Sequence, residues 1–268
     1  MKLGISTYSL TWSIGVPGYP APPQPIGVFD LLDIARAYRI KLVQIADNFP
    51  LHLLKDTELI SIKEYADSMG IEIEIGTRGT DPDHLLVYLR IANLLGASLC
   101  RTLIVEENLT NPVRELKAVL PLFEQSGVRI AVENHGLHTT KQLASLFVDI
   151  NSPFLGCCLD TVNSFSALDS PQTVIQDLSP YVINLHLKDF DITRVDHQMG
   201  FMVLGKPAGY GKLDIDGLLQ TVRDSHRDSN VILELWTPFT ETVEQTVALE
   251  RQWLEESLHY LQTNHFSE

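Results

Sequence analysis

The sequence predicts a (β/α)₈ barrel, on three observations. Eight short apolar or β-branched runs recur along the chain, longer amphipathic stretches lie between them, and 268 residues suit a barrel of ~250 residues. No low-complexity tract or linker separates two halves, so residues 1–268 are expected to form a single domain.

In order, the strand candidates are KLGIST (2–7), KLVQIA (41–46), IEIEIG (71–76), SLCRTLI (98–104), RIAVEN (129–134), LGCCLD (155–160), VINLHL (182–187) and VILELW (231–236). The stretches between them carry helical signals. NPVRELKAVLPLFEQSG places Val113, Leu116, Leu120 and Phe123 on one face and ends at Gly127, a C-cap residue. SPQTVIQDLSPY and DIDGLLQTV open on Ser or Asp, as helix N-termini do. The segment 241–262 aligns Val247, Leu254, Leu258 and Leu261 on one stripe. The competing architecture is an open doubly wound sheet. No GxGxxG follows the first strand, so its dinucleotide-binding form lacks the fingerprint.

Charge and composition narrow the function. The net charge of −14 repels a phosphate backbone, so nucleic acid is not an expected partner. No run of ~18 apolar residues and no cleavable leader is visible. The three cysteines, Cys100, Cys157 and Cys158, form neither a disulfide framework nor CxxC zinc spacing. The expectation is a soluble cytoplasmic protein without a membrane partner.

In such a barrel, chemistry belongs at the C-terminal ends of the strands. There, RIAVENH carries Glu133, LGCCLDTVN carries Asp160, VINLHLKD carries His186 and VILELW carries Glu234. Alone, an acid at a strand end commonly caps a helix, and a lone histidine is commonly a satisfied core residue. Four such groups in four successive strands point instead to one shared site. Three carboxylates close together cannot all stay ionised without a cation. Oxygen-rich ligation with one imidazole suits a single divalent metal ion: Mn²⁺ first, with Mg²⁺, Co²⁺ or Zn²⁺ as alternatives. Glu234, otherwise an ionised group inside the apolar run NVILELWTPF, is then a metal ligand.

At these motifs the chain resembles the xylose isomerase-like barrel superfamily. IAVENHG is similar to its strand-five glutamate motif, LGCCLDTVN to its D-T-x-H motif, INLHLKDF to its H-x-K-D motif, and VILELW to its final glutamate strand. The opening MKLGISTYS is a weaker echo. Asn163 stands where the second motif often has His, and the ends of strands two and three (QIADN, IGTRG) offer no histidine. The multi-metal abasic-site nuclease of this superfamily is therefore disfavoured.

The resemblance implies a metal-dependent isomerase or epimerase of a small sugar, sugar phosphate or hydroxy-keto acid. Glu133 and Glu234 would move the proton while binding the metal, with Asp160 and His186 purely as ligands. The alternative on the same scaffold is a dehydratase of inosose or dehydroshikimate type; a non-catalytic sugar-binding barrel is the alternative outside catalysis. Barrels of this type often associate as homo-oligomers, but no interface is legible.

Softer candidates surround the four. Lys188 would polarise a substrate oxygen, pair with a carboxylate, or pair with Asp189. His135 would contact substrate or cap the next helix, and Asn163 would bond a hydroxyl. Arg194 lies in a loop where relatives often use Arg on substrate oxygens. Arg78 and Arg101 would pair acids within the barrel. Two long loops, 9–28 with five prolines and 190–213 with four glycines, are expected on the catalytic face as a lid. Trp12, Trp236 and Phe201 would give it aromatic walls, the alternative being that the tryptophans only pack beneath the loops. The glycines offer backbone amides to phosphate, although GKPAGYGK matches no P-loop.

Overall fold

Strands made of continuous apolar runs need cover on both faces, and the chain supplies it by closing eight of them into a ring inside a shell of helices. The computed structural model describes all residues except His197, Gln198, His226 and Glu268. The strands are β1 Leu3–Ser6, β2 Leu42–Ile45, β3 Glu72–Gly76, β4 Leu99–Leu103, β5 Arg129–Glu133, β6 Leu155–Asp160, β7 Val182–Leu187, β8 Asp189–Arg194, β9 Phe201–Lys206 and β10 Asn230–Leu233. The helices are α1 Thr11–Ile14, α2 Val28–Ala37, α3 Asp56–Ser68, α4 Pro82–Leu95, α5 Thr110–Gln125, α6 Thr140–Ile150, α7 Pro171–Leu178, α8 Ile215–Asp224 and α9 Val243–Asn264. Around the closed barrel the order is β1-β10-β7-β6-β5-β4-β3-β2, every pair parallel. This is the (β/α)₈ barrel the sequence predicts; seven barrel strands lie inside their predicted runs, and β10 starts one residue before its run and stops at Leu233.

Helix boundaries follow the cap chemistry. Ser170 accepts from Thr173 N and Asp214 from Gly217 N, satisfying amides of the first turn of α7 and α8. Past α5, Gly127 adopts φ 70°, a left-handed turn that favours glycine. Among the described residues, no helix is long and apolar enough to cross a membrane.

Most of the apolar core lies between the strands and the helices, from Leu31 and Leu59 round to Leu254 and Leu258. Within the barrel, Leu99, Ala131, Cys158 and Ile183 form a separate small cluster. The remaining interior is polar: Gln44, Glu74, Arg101, Glu133, Asp160, Asn184 and His186 are all buried.

The two long loops differ: 190–213 is largely built, whereas 9–28 holds α1 and runs irregular from 15 to 27. Thr7–Ser9 forms a 3₁₀ turn followed by α1. Residues 190–213 largely form the antiparallel hairpin β8–β9, which pairs Asp189 with Lys206 and Arg194 with Phe201. Alternating Phe, Ile, Val and Met gives this stretch a strand pattern that its glycines obscure.

One irregularity sets the geometry of the mouth. Between β6 and β7 the pairing runs Cys157↔Val182, then Cys158↔Asn184, a one-residue shift that brings Asp160 opposite His186. Without it Asp160 would face Leu185, since a slip of one residue exchanges the inner and outer faces. Gly156 sits beside this shift, where a Cβ would lie 2.7 Å from the Tyr181 carbonyl oxygen and 2.7 Å from Ile183 Cγ2. Gly156→Ala is expected to destabilise the fold by about 1–3 kcal/mol through overpacking. Urea unfolding followed by circular dichroism checks this; an unchanged midpoint would mean that the β6–β7 crossing yields without cost.

Candidate active site

Four barrel strands each deliver a side chain of a type that can ligate a metal to the same mouth. Glu133 ends β5 and Asp160 ends β6. His186 is the penultimate residue of β7, and Glu234 follows β10 directly. His186 is Cα partner to Asp160 on one side and to Ile232 on the other. All four side chains are buried. His186 Nδ1 lies 3.6 Å from Glu133 Oε2 and 3.4 Å from Glu234 Oε1.

The hydrogen-bond chemistry of this cluster is compatible with a bound cation. Burial, helped by the positive charges of Arg101 and Lys188, drives the His186 pKa well below its ordinary value, so the imidazole is neutral. Its Nε2 lies 2.7 Å from Gln44 Oε1, an acceptor, which assigns the ring proton to Nε2 and leaves a lone pair on Nδ1. That lone pair faces two carboxylate oxygens; Nδ1 has no hydrogen-bond partner, and Glu133 Oε2 is met by the Arg101 ion pair. Asp160, His186 and Glu234 can offer atoms all within 4.8 Å of one another, as can Glu133, Cys158 and His186. Donor atoms on a divalent ion with bonds of ~2.1–2.3 Å sit roughly 3–4 Å apart, so either group of three, the two sharing His186, can fit an ion. Burial holds the Cys158 thiol protonated, leaving an oxygen-rich set with one imidazole.

Fixed donors hold the carboxylates in place. Asp160 Oδ1 accepts from the amides of Val162 (2.9 Å) and Asn163 (2.8 Å). Glu133 Oε1 accepts from Asn163 Nδ2 at 2.7 Å, and Glu234 Oε1 from Ser6 Oγ at 2.9 Å. Lys188 Nζ reaches Asp160 Oδ2 (2.7 Å) and Glu234 Oε2 (2.9 Å). Burial works against its charge, but Asp160, Glu234 and Glu133 outweigh burial and raise its pKa. Arg101 Nε lies 3.0 Å from Glu133 Oε2, while Arg101 Nη1 lies 2.9 Å from Asp47 Oδ1 and donates to the Thr77 carbonyl. Here too burial opposes the charge, and Glu133, Asp47 and Glu234 prevail.

A cavity of about 290 Å³ opens above the cluster, lined by Trp12, His135, Asn163, Lys188 and Trp236 among others. Burial lowers the pKa of His135, and Lys188 adds to the effect, which keeps that imidazole neutral. Trp12 is buried, donates from Nε1 to the Thr237 carbonyl at 2.8 Å, and packs against Tyr19 and Phe239. Trp236 is exposed at the cavity rim, its ring centroid 6.0 Å from Lys188 Nζ.

Three expectations fall elsewhere. Arg194 does not reach the cavity: it ends β8, with its guanidinium 4.7 Å from the Phe201 ring centroid, and Phe201 is exposed beside it. Lys188 pairs with Asp160 and Glu234 and not with Asp189. The Asp189 carboxylate instead accepts from the amides of Gly209, Gly211 and Leu213, so these loop amides are already taken and offer no phosphate cradle. Asp47 and Tyr8 line the cavity without having been singled out, and Arg101 does so with only an acid-pairing role foreseen. Asp47 in QIADN is the one signal for the first of these, a lone acid at a strand end.

Burial pushes the Glu133 pKa up to about 7; Arg101 opposes this, Asp160 adds to it, Lys188 opposes it and Glu234 adds to it. A divalent ion must displace that proton. Apparent Mn²⁺ affinity is expected to fall about tenfold per pH unit below 7 and to level off above it. Titration calorimetry in buffers of different ionisation enthalpy counts the released proton; an affinity flat from about pH 5.5 to 8 would mean that Glu133 is ionised before the metal arrives.

Residues 30–261 match the family model of the xylose isomerase-like TIM barrel. The chain is 35% identical over 268 aligned residues to 3-oxo-isoapionate decarboxylase of Pectobacterium atrosepticum, covering 98% of this chain and 96% of that one. Among solved structures it resembles D-psicose 3-epimerase crystallised with D-fructose (TM-score 0.72, 15% identity, 99% of each chain). It also resembles the IOLI protein with a bound zinc atom (TM-score 0.68, 17% identity, 97% of this chain and 99% of that one). At such identities the two structures speak for the fold alone. The family model and the decarboxylase relative go further: the chain belongs to the xylose isomerase-like TIM barrel family.

Proposed function

We propose that this protein is a divalent-metal-dependent decarboxylase of a small, hydroxylated 3-oxo acid. Full-length similarity to a decarboxylase of a 3-oxo acid carries this reading. The cavity chemistry supports it, because decarboxylation of a 3-oxo acid needs an electron sink more than a carbon base. When bound by Glu133, Asp160, His186 and Glu234, a divalent ion would supply Lewis-acid stabilisation of the substrate carbonyl and a neighbouring hydroxyl oxygen.

In the reaction the bond between C1 and C2 breaks, its electron pair moves toward the C3 carbonyl as the enediolate forms, and CO₂ departs. Lys188 Nζ, fixed between Asp160 and Glu234, adds positive charge beside the developing oxyanion. Asn163 and Arg101 orient the Glu133 carboxyl. Glu133, ionised when it holds the ion, draws a proton from solvent and relays it to C2. Trp12 and Trp236 flank the apolar side of the substrate and exclude water.

The isomerase or epimerase expected from the motifs differs only in its first step, where Glu133 or Glu234 removes a proton in place of the loss of CO₂. A D₂O incubation with Mn²⁺ and a panel of hydroxylated 3-oxo acids, ketoses and inososes separates these readings by mass spectrometry. Release of CO₂ with one deuterium on the product carbon supports the decarboxylase. Deuterium gained by a ketose without CO₂ points to the isomerase or epimerase, and loss of water to the dehydratase. With a turned-over substrate, Glu133→Gln is expected to lower kcat by about 10²–10⁴-fold. Full activity of that variant would remove Glu133 from the proton-transfer role.

A further inference from the structure

Beneath the four ligands the barrel carries a second polar layer, made by Gln44 of β2, Glu74 of β3, Asn184 of β7 and Asn230 of β10. Glu74 is 2% exposed. Its Oε2 accepts from Gln44 Nε2 at 3.1 Å and from Asn184 Nδ2 at 2.8 Å, and its Oε1 from Asn230 Nδ2 at 2.8 Å. Burial raises the Glu74 pKa, and these three amides oppose it. All three neighbours present N–H groups, which is the company of a carboxylate.

An ionised carboxylate only accepts, so each amide must turn its nitrogen toward Glu74. For Gln44 this decides everything else. Its Nε2 also donates to Asn184 Oδ1 at 3.1 Å, which occupies both protons. Its Oε1 therefore points the other way, to His186 Nε2 at 2.7 Å. An oxygen facing Nε2 places the proton there and leaves Nδ1 bare toward Glu133 and Glu234.

We infer that Glu74 is a positioning residue that acts through Gln44 to hold His186 in the one tautomer able to bind a cation. In the other tautomer an N–H would point at two carboxylates and Nδ1 would have no lone pair to give. Glu74 touches neither ligand nor substrate space; its effect is directional, passed along two hydrogen bonds from the barrel floor to the mouth. The inference rests on the reading of Glu133, Asp160, His186 and Glu234 as a cation site, and not on which reaction that site performs.

The test uses Glu74→Gln and the swapped double variant Glu74→Gln/Gln44→Glu. Long-range ¹H–¹⁵N spectra of metal-free protein read the His186 tautomer, assigned by its loss in His186→Asn. Titration calorimetry reads Mn²⁺ affinity. In Glu74→Gln the Nε2–H form is expected to give way to the Nδ1–H form, with Mn²⁺ affinity lower by about 10–100-fold. The swap places an acceptor-only carboxylate directly against His186 Nε2 and is expected to restore both readouts. A Glu74→Gln protein that keeps the Nε2–H form, or loses affinity with the tautomer unchanged, overturns the role. Should Glu74→Gln fail to fold, Gln44→Met cuts the same relay, and an unchanged tautomer there overturns the role equally. Wild-type protein that binds no Mn²⁺ would overturn the cation site itself, whereas wild-type affinity in Glu74→Gln overturns only the part given to Glu74.

Discussion

Electroneutrality at the barrel mouth is the constraint on which the rest of the site depends. Among the described residues, Glu133, Asp160 and Glu234 are buried against two buried cations, Arg101 and Lys188, which leaves one uncompensated negative charge. A charge of that kind in a low-dielectric interior costs several kcal/mol unless something answers it. A proton on Glu133 closes the deficit, and so does a divalent ion with Glu133 ionised, which is why the two compete. The loaded mouth then carries a net positive charge, the complement of an anionic keto acid and of the enediolate derived from it.

Reaching that arrangement demands that four side chains from four strands face inward at one height. The closed barrel supplies three of the four by ordinary parallel pairing. Asp160 needs the one-residue shift between β6 and β7 to stand beside His186, and Gly156 provides the close approach of backbones where the shift occurs. A polar floor of Gln44, Glu74, Asn184 and Asn230 completes the arrangement, beside the small apolar cluster of Leu99, Ala131, Cys158 and Ile183. Strand ends, interior irregularity and floor are thus parts of one solution to holding an imidazole among acids.

The strands and the four acidic or imidazole positions were legible in the sequence for one reason: each is a polar exception inside an apolar run, and the exceptions recur at the same place in successive runs. Arg101 lacks that signature. Its strand, SLCRTLI, is polar in several places, so a charge there has no contrast, and only the fold brings it within 3.0 Å of Glu133. Gln44 and Glu74 sit in the interiors of KLVQIA and IEIEIG, where alternation resembles a half-exposed strand. Closure of the barrel turns those faces inward. The hairpin of β8 and β9 was hidden by its glycines, and the guanidinium of Arg194 settles on Phe201 because the hairpin carries both away from the mouth.

The wall above the site is fixed rather than hinged. The Glu250 carboxylate of α9 accepts from the amides of Trp12 (2.8 Å) and Ser13 (2.9 Å) and from Ser13 Oγ (2.8 Å). Burial pushes its pKa up to about 7 against those donors, so a carboxyl group is held at a cost in order to pin one turn of chain. With Nε1 bonded to Thr237 and the ring wedged against Tyr19 and Phe239, Trp12 has little freedom to swing as a lid. On the proposed reading, the metal ligands and Lys188 would stabilise any enediolate alike without choosing which bond of the substrate breaks to form it. That choice would belong to whichever bond the walls hold perpendicular to the plane of the carbonyl, which makes the Trp12 wall braced by Glu250, more than the charge chemistry beneath it, the place where decarboxylation, proton transfer and dehydration would be told apart.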